Sequence, residues 1–334
     1  TFKDITMKKT IIAAAIATVI AAPAMADVSV SGVVEQAFAS VDTTATDATT
    51  TDPAITTAAA NAADQGWQSQ PDNSITFKAS EDLGNGMTAF AQITLDTDNG
   101  SASKDEKVGL KGGFGTVVVG RMEDFTEGVM AATMTMNGAS AGIELAGNAG
   151  RDDGAIAYVS PTVNGIHAGI AGYTGTGAAN SDAFDAVDMI VAYDNGPLSL
   201  KLSQETLNTT VSDGTDEQST TSVSAKYGMG DISVAALWVD RENQGGSNAA
   251  AADYDDLMLR LDYKMGNNKI TVAHADDGST KNQDVLALEL THSMSKRTSV
   301  YVGHSQKDKD ATLTTAGSLG ADVDSTYFGM IHKF

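Results

Sequence analysis

The sequence contains 334 residues with a formal net charge of -22, and it has no cysteine. Because so acidic a chain repels the phosphate backbone, we expect no nucleic-acid partner. The lack of cysteine excludes a disulfide scaffold and a Cys-ligated metal site. Abundant glycine (33 residues) and scarce proline (5 residues) are typical of a chain with many strands and turns and few helices.

The N-terminal segment, residues 1–26, predicts an export signal behind a short extension. Two lysines, Lys8 and Lys9, precede an apolar run, and residues 24–26 have the small–x–small pattern of a signal peptidase site. A transmembrane anchor would need about 20 apolar residues, and this run is shorter. We therefore expect a cleaved signal peptide, passage through the periplasm and a mature domain over residues 27–334.

From residue 27 onward, apolar and polar residues alternate. In residues 257–264 apolar residues alternate with polar or charged ones, and residues 87–95, 198–203 and 222–227 repeat this pattern. Successive side chains of a strand point to opposite faces, so the alternation predicts half-buried strands rather than helices.

Short clusters rich in glycine or asparagine recur between these segments. Each cluster joins two alternating segments by a few residues, as in a β-hairpin. The clusters fall near Asn85, Gly113, Asn164, Asn195, Met229, Asn267 and Ser295. Seven hairpins, one strand before them (27–39) and one after them (323–334) predict sixteen strands. Longer polar stretches separate the hairpins, and this asymmetry favours a transmembrane β-barrel with short periplasmic turns over a soluble β-sandwich.

Aromatic residues close several apolar faces beside the short turns. Tyr193, Tyr227 and Tyr263 each end such a face just before a turn, and Phe334 ends the last strand. Aromatic rings of this kind form girdles where the barrel meets the lipid headgroups. The pattern therefore supports a membrane barrel.

Four stretches resemble the general-diffusion porins of Gram-negative bacteria. Residues 27–38 (DVSVSGVVEQAF) look like the first strand of that family, and residues 109–121 (GLKGGFGTVVVGR) look like its fourth and fifth strands. Residues 150–173 (GRDDGAIAYVSPTVNGIHAGIAGY) resemble the sixth and seventh strands, and residues 327–334 (YFGMIHKF) resemble the final one. The resemblance implies a homotrimer of all-β, 16-stranded antiparallel barrels in the outer membrane, each with a third extracellular loop folded inward.

The same resemblance implies partners during and after assembly. In that family the barrel-assembly machinery recognises the terminal strand, which places an assembly signal at Phe328, Met330 and Phe334. The assembled barrel would contact outer-membrane lipid and lipopolysaccharide.

The segment 123–150 is the best candidate for the inward loop. It lies within the longest spacing between turns, and it is too long and too mildly apolar for an ordinary surface loop. Met130, Met134 and Met136 would suit packing against the barrel wall. An external position of this loop is the alternative.

Charged residues near this loop predict the lining of a pore. The resemblance places a basic wall opposite an acidic loop, and Val33 and Ser74 replace two further basic residues of enterobacterial members. The candidates for the basic wall are Lys111, Arg121 and Arg151. The candidates for the acidic loop are Glu123, Asp124, Glu127 and Glu144. On the polar faces of other strands, Lys201, Lys226 and Arg260 are expected to point into water.

A wide closed barrel leaves an aqueous channel, whose selectivity depends on its width and charges. The acidic balance predicts a preference for cations and neutral solutes. Alternatively, most carboxylates belong to external loops, where they would solvate the surface or bind divalent cations that bridge lipopolysaccharide.

The sequence contains no catalytic or metal-binding motif. Its 5 histidines are scattered, without His-x-His or His-Glu-x-x-His spacing, so we expect no enzyme, no cofactor and no metal site. The interpretation is a porin that passes ions and small hydrophilic solutes by passive diffusion. A surface receptor or adhesin that uses the barrel only to display its loops is the rival interpretation.

Overall fold

The computed structural model describes most of the segment predicted to be the mature domain. The described residues are 27–45, 62–69, 73–97, 103–134, 136–137, 151–174, 183–207, 217–244, 252–278, 283–309 and 321–334. The predicted signal peptide (1–26) and Glu144 lie outside them.

Almost all of the described chain is β-structure, with one helix between β6 and β7. The strands are β1 (Asp27–Ala45), β2 (Ala62–Ser69), β3 (Ser74–Gly84), β4 (Met87–Asp96), β5 (Ser103–Gly112), β6 (Gly115–Glu123), β7 (Arg151–Val159), β8 (Ile166–Tyr173), β9 (Ala186–Asn195), β10 (Leu198–Leu207), β11 (Gln218–Met229), β12 (Ile232–Gln244), β13 (Ala252–Met265), β14 (Asn268–Asp277), β15 (Gln283–Ser293), β16 (Thr298–Lys309) and β17 (Ala321–Lys333). The helix is α1 (Phe125–Met134). Within the described ranges, no helix is long and apolar enough to cross a bilayer.

The strands form one antiparallel sheet that closes on itself. β1 pairs with β17 along its length, from Val33 opposite Lys333 to Ala45 opposite Ala321. On its other edge β1 pairs with both β2 and β3, which follow each other along it and share one position in the barrel. The barrel therefore has sixteen strand positions, and the predicted 16-stranded antiparallel barrel is confirmed.

Asn73 lies where the shared position passes from β2 to β3. Its Nδ2 donates to the Glu35 carbonyl oxygen at 3.0 Å, and its Oδ1 accepts a hydrogen bond from the Glu35 backbone N–H. A side-chain amide thus supplies both hydrogen bonds that a continuous strand would have made, which keeps the backbone of β1 paired at the interruption.

All seven predicted short connections are confirmed. They join β3–β4, β5–β6, β7–β8, β9–β10, β11–β12, β13–β14 and β15–β16. In the first, Asn85 and Gly86 have φ values of 54° and 74°. Two successive positive φ values are those of a type I′ turn, whose twist matches that of the flanking strands.

The two faces of each strand have opposite character. On β13, Leu257, Leu259 and Leu261 are exposed on the outside, whereas Met258 and Asp262, at the alternate positions, are buried on the inside. An apolar exterior and a polar interior suit a barrel surrounded by lipid. Other outward residues beside the short turns include the predicted girdle members Tyr227, Tyr263 and Phe334, all exposed.

Candidate functional site around helix α1

Helix α1 begins with a side-chain cap. The Asp124 carboxylate accepts a hydrogen bond from the Glu127 backbone N–H, and the Asp124 carbonyl oxygen accepts one from Gly128 N–H. An aspartate at this position satisfies N–H groups that have no partner within the helix. Asp124 is only 2% exposed. It was expected among the acidic pore residues, but its carboxylate caps the helix instead.

The first turn of α1 is attached to strand β9. The backbone N–H and the hydroxyl of Thr126 donate to the two carboxylate oxygens of Asp188, at 3.0 and 3.1 Å. Both residues are buried. Their hydrogen bonds fix the start of the helix to the barrel wall.

The rest of the described loop packs on inward-facing side chains of β12 and β13. Val129, Met130 and Met136 form one buried cluster with wall residues that include Val239 and Met258. The side chain of Met134, which is also expected to pack on the wall, is not among those described. Residues 138–150 of the loop likewise lie outside the described residues.

A buried arginine lies beneath the helix. Arg241 Nε donates to Asp256 Oδ2 at 3.0 Å, its Nη2 lies 3.7 Å from Met130 Sδ, and its guanidinium lies 5.8 Å from the centre of the Tyr254 ring. Sequence reasoning missed this residue. The alternation along β12 could have identified it, because Arg241 shares a strand face with Leu237 and Val239. A charge on such a face points inward and needs a partner.

Two predicted acidic residues and one predicted basic residue meet directly. Arg151 Nη2 lies 3.7 Å from Glu123 Oε2, and Arg151 Nη1 lies 3.9 Å from Glu127 Oε1. These three side chains do not form a basic wall facing an acidic loop. Glu123 and Arg151 are instead direct strand partners on β6 and β7. Burial, with a smaller contribution from the nearby Glu123, raises the pKa of Glu127 to about 7 against the lowering effect of Arg151.

Of the other two candidates for the basic wall, Lys111 lies apart from this cluster. Lys111 is paired with Thr88 and Thr116, next to the short β5–β6 turn. Arg121 follows Thr116 by five residues, about 16 Å along a strand, and stands opposite Glu106. The structure thus separates Lys111 from the level of the helix.

A cavity of about 310 Å³ separates the loop from the wall formed by β1, β3 and β5. Val33 and Ser74, which replace basic residues in the resemblance, do line it, and they are direct strand partners. We call this space the loop-side cavity. Its basic residues are Lys104, Arg151 and Lys333, and the sequence analysis identified neither lysine. Lys104 Nζ lies 3.8 Å from Asp96 Oδ2.

The sequence analysis also missed two glutamates of the barrel wall, Glu35 and Glu289. Tyr301 Oη donates to Glu35 Oε1 at 2.6 Å, and Tyr327 Oη donates to Glu289 Oε2 at 3.4 Å. The loop reaches the second of these carboxylates, because Asn137 Nδ2 donates to Glu289 Oε1 at 2.7 Å. Asn137 therefore attaches the far end of the described loop to β15, six strands from Asp188 on β9.

Asn137 also belongs to the linings of two cavities. A second cavity, of about 440 Å³, extends toward the short turns and shares Asn137, Ile331 and Lys333 with the loop-side cavity. Its lining includes the cationic residues Lys264, Lys269, Lys296, Arg297 and Lys333. We call it the turn-side basin.

The three other predicted lumen residues lie on inward faces near the short turns. Lys201 and Lys226 share their faces with the buried Ser203 and Ser224. Arg260 donates through Nε and Nη2 to the two carboxylate oxygens of Asp262, both at 3.0 Å.

The three residues of the predicted assembly signal all face outward. Phe328 stacks on Phe38 with ring centres 5.5 Å apart, and Phe328, Met330 and Phe334 are exposed. Phe334 N–H donates to the carbonyl of Gly32, so the terminal residue is itself paired to β1. Recognition by the assembly machinery stays a prediction.

Comparisons with known proteins agree with this architecture. A family model described as "Gram-negative porin" matches residues 13–312. The outer membrane porin protein 32 of Delftia acidovorans is 26% identical over an alignment of 287 residues that covers 76% of this chain and 78% of that protein.

Solved structures give the same fold at lower sequence identity. The structure of an anion-selective porin from Comamonas acidovorans superposes with a TM-score of 0.71 at 20% identity, covering 92% of this chain and 100% of that one. The trimer form of OmpT, an outer membrane protein of Vibrio cholerae, has a TM-score of 0.66 at 14% identity, covering 92% and 99%.

Proposed function

Because this chain belongs to the Gram-negative porins, an outer-membrane family of diffusion channels, we propose that its pore passes ions and small hydrophilic solutes through the space between helix α1 and the wall of β1, β3 and β5. The observation that carries this proposal is that the loop-side cavity and the turn-side basin share Asn137, Ile331 and Lys333 in their linings. Charged and hydroxyl side chains line both spaces, as a water-filled path requires.

We propose that the described part of the loop narrows this path. Its anchors are Asp188 at the start of α1, the buried methionine cluster in the middle and Glu289 at Asn137. These anchors follow one arc of the wall from β9 to β15, so the loop lies against that arc and the free space is left on its other side.

A modest preference for cations is the proposed selectivity. It is supported by the net charge of -22 and by carboxylates at the loop level, such as Glu35, Glu123 and Asp105. Lys104, Arg151 and Lys333 oppose it in the same cavity. The Comamonas porin has the same fold but is named as anion-selective. The fold alone therefore does not set whether a barrel prefers cations or anions, and we assign that preference to the lining residues.

Conductance across planar bilayers tests the channel directly. The refolded mature protein should give stepwise ohmic currents in KCl, and a tenfold KCl gradient should give a reversal potential of cation sign. A closed barrel that carries no current would leave display of surface loops as its function. A reversal potential of anion sign would overturn the proposed preference while leaving the channel intact.

The proposed assembly is a homotrimer, supported by the trimer form of the Vibrio cholerae relative. Unheated detergent-solubilised protein should migrate as a trimer on a gel, and heating should convert it to monomer. Migration as a monomer under all conditions would contradict this assembly. We also propose cleavage of the export signal before Asp27, where β1 begins, and N-terminal sequencing of protein from outer membranes would check it.

A further inference from the structure

The turn-side basin is positively charged in a strongly acidic chain. Its lining contains five cationic side chains, and none of its described lining residues is an aspartate or a glutamate. These cations come from separate elements that meet at one end of the barrel: the end of β13, the start of β14, the β15–β16 turn and the end of β17.

Most of these charges have no acidic partner nearby. Lys269 Nζ lies 3.8 Å from Asp262, a carboxylate that also binds Arg260. For Lys264, Lys296 and Lys333, the described part of the chain offers no carboxylate within salt-bridge distance. All three are exposed, so their charges are open to solutes that enter the basin.

Neutral hydrogen-bond donors stand among the cations. Asn268, Ser293 and Ser299 line the same space, and Asn137 closes it on the loop side. Amide and hydroxyl donors beside ammonium groups can bind several oxygens of one anion at once. A space of about 440 Å³ falls within the range of ligand pockets.

The strands that supply the basin also separate charge along the barrel. On its inward face β13 carries Asp256 near its start and Lys264 near its end. Between them, Asp262 is paired with Arg260. β14 runs the other way, from Lys269 near its start to Asp277 at its end. Negative charge therefore collects at the loop ends of these strands and positive charge at their turn ends.

We propose that the turn-side basin is a binding site for small oxyanions that carry two or more negative charges, such as pyrophosphate, at the periplasmic mouth of the channel. This proposal rests on the proposed channel function. The separated charges make the site one-sided: an oxyanion reaches it freely from the turn side, whereas from the loop side it first meets the acidic strand ends. Binding there obstructs the path beside Asn137.

Single-channel recording with pyrophosphate tests the site. Millimolar pyrophosphate added on the turn side should interrupt the KCl current, and the same concentration on the loop side should do so much less. In the triple variant Lys264→Gln/Lys296→Gln/Lys333→Gln, the half-blocking concentration should rise about tenfold, since each exposed charge pair contributes up to a few-fold in affinity.

A matched variant keeps the test specific. Lys201→Gln/Lys226→Gln/Lys111→Gln removes the same charge from inward positions outside the basin, and it should retain block close to that of the native protein. Equal block from both sides, or equal loss in the two triple variants, would overturn the proposal in favour of general charge screening. A conducting channel that pyrophosphate does not block would also overturn it, whereas a protein without any KCl current would instead contradict the proposed channel function.

Discussion

Arg241 Nε and Asp256 Oδ2 lie 3.0 Å apart, and their side chains are 1% and 0% exposed. The pair lies under Met130 of helix α1, since Arg241 Nη2 also approaches Met130 Sδ at 3.7 Å. A charge pair on the barrel wall therefore supports helix α1, the segment proposed to narrow the pore. The stabilisation that this ion pair provides depends on both partners, because a buried charge without its counterion is strongly unfavourable.

Removing one partner of this pair should destabilise the barrel. We expect Asp256→Asn to lower the free energy of unfolding by about 3–5 kcal/mol, since it leaves the Arg241 charge buried and uncompensated. Urea titration of the detergent-solubilised protein measures this. The double variant Arg241→Met/Asp256→Leu should recover much of the loss, and equal stability of the single and double variants would contradict the explanation.

The pore current should depend on pH through Glu127. Its pKa of about 7 means that the carboxyl is neutral at pH 6 and mostly charged at pH 8. The reversal potential should therefore shift toward cation selectivity as pH rises through 7, and Glu127→Gln should abolish most of that shift. Asp231→Asn, a loss of one exposed charge in the β11–β12 turn, should leave it in place. An unchanged pH profile in Glu127→Gln would assign the titration to another group.

Loss of the Asn137 side chain should loosen the loop. Asn137→Ala removes the 2.7 Å hydrogen bond to Glu289 and the 3.1 Å hydrogen bond to Thr291. We expect larger open-channel current noise and a higher mean conductance, because a hydrogen bond to a charged group contributes about 1.5–3 kcal/mol. Single-channel recording would show it. Asn267→Ala, in the β13–β14 turn, is the control, and an identical trace from both variants would contradict the anchoring role.

Two tyrosines inside the barrel require glycine on the neighbouring strand. Tyr327 is the strand partner of Gly303, and Tyr301 is the strand partner of Gly329. A Cβ at Gly303 would overlap the Tyr327 ring. Gly303→Ala should therefore cost about 1–3 kcal/mol of unfolding free energy by overpacking. At Gly228 an added Cβ would meet Pro197 only at 3.8 Å, so Gly228→Ala should have little effect in the same urea titration, and equal losses would argue against overlap.

Local patterns in the sequence were sufficient to predict the barrel. Alternation at residues 257–264 identified both faces of β13, and the Asn-Gly pair at residues 85–86 identified a tight turn, because both signals depend only on neighbouring residues. The interruption at Asn73 was not predicted. It arises where a side chain replaces backbone pairing with Glu35, a residue 38 positions away.

The charged lining could be predicted only in part. Residue type and strand parity indicate the polar strand faces that carry Lys201 and Arg260, because parity is a property of the strand alone. They could not reveal that Asp124 caps a helix, that Arg151 pairs with Glu123 and Glu127, or that Arg241 lies beneath Met130.

The sequence by itself determined the number of strands, their faces and the positions of the short turns, since each follows from side-chain periodicity and turn chemistry within a few residues. Only the tertiary structure decided which charges meet. Closure of the sheet brings β1 to β17, and the course of the loop brings Asn137 to Glu289, across 152 positions of the chain. Electrostatic interactions depend on distance and burial in space, and both are set by that closure.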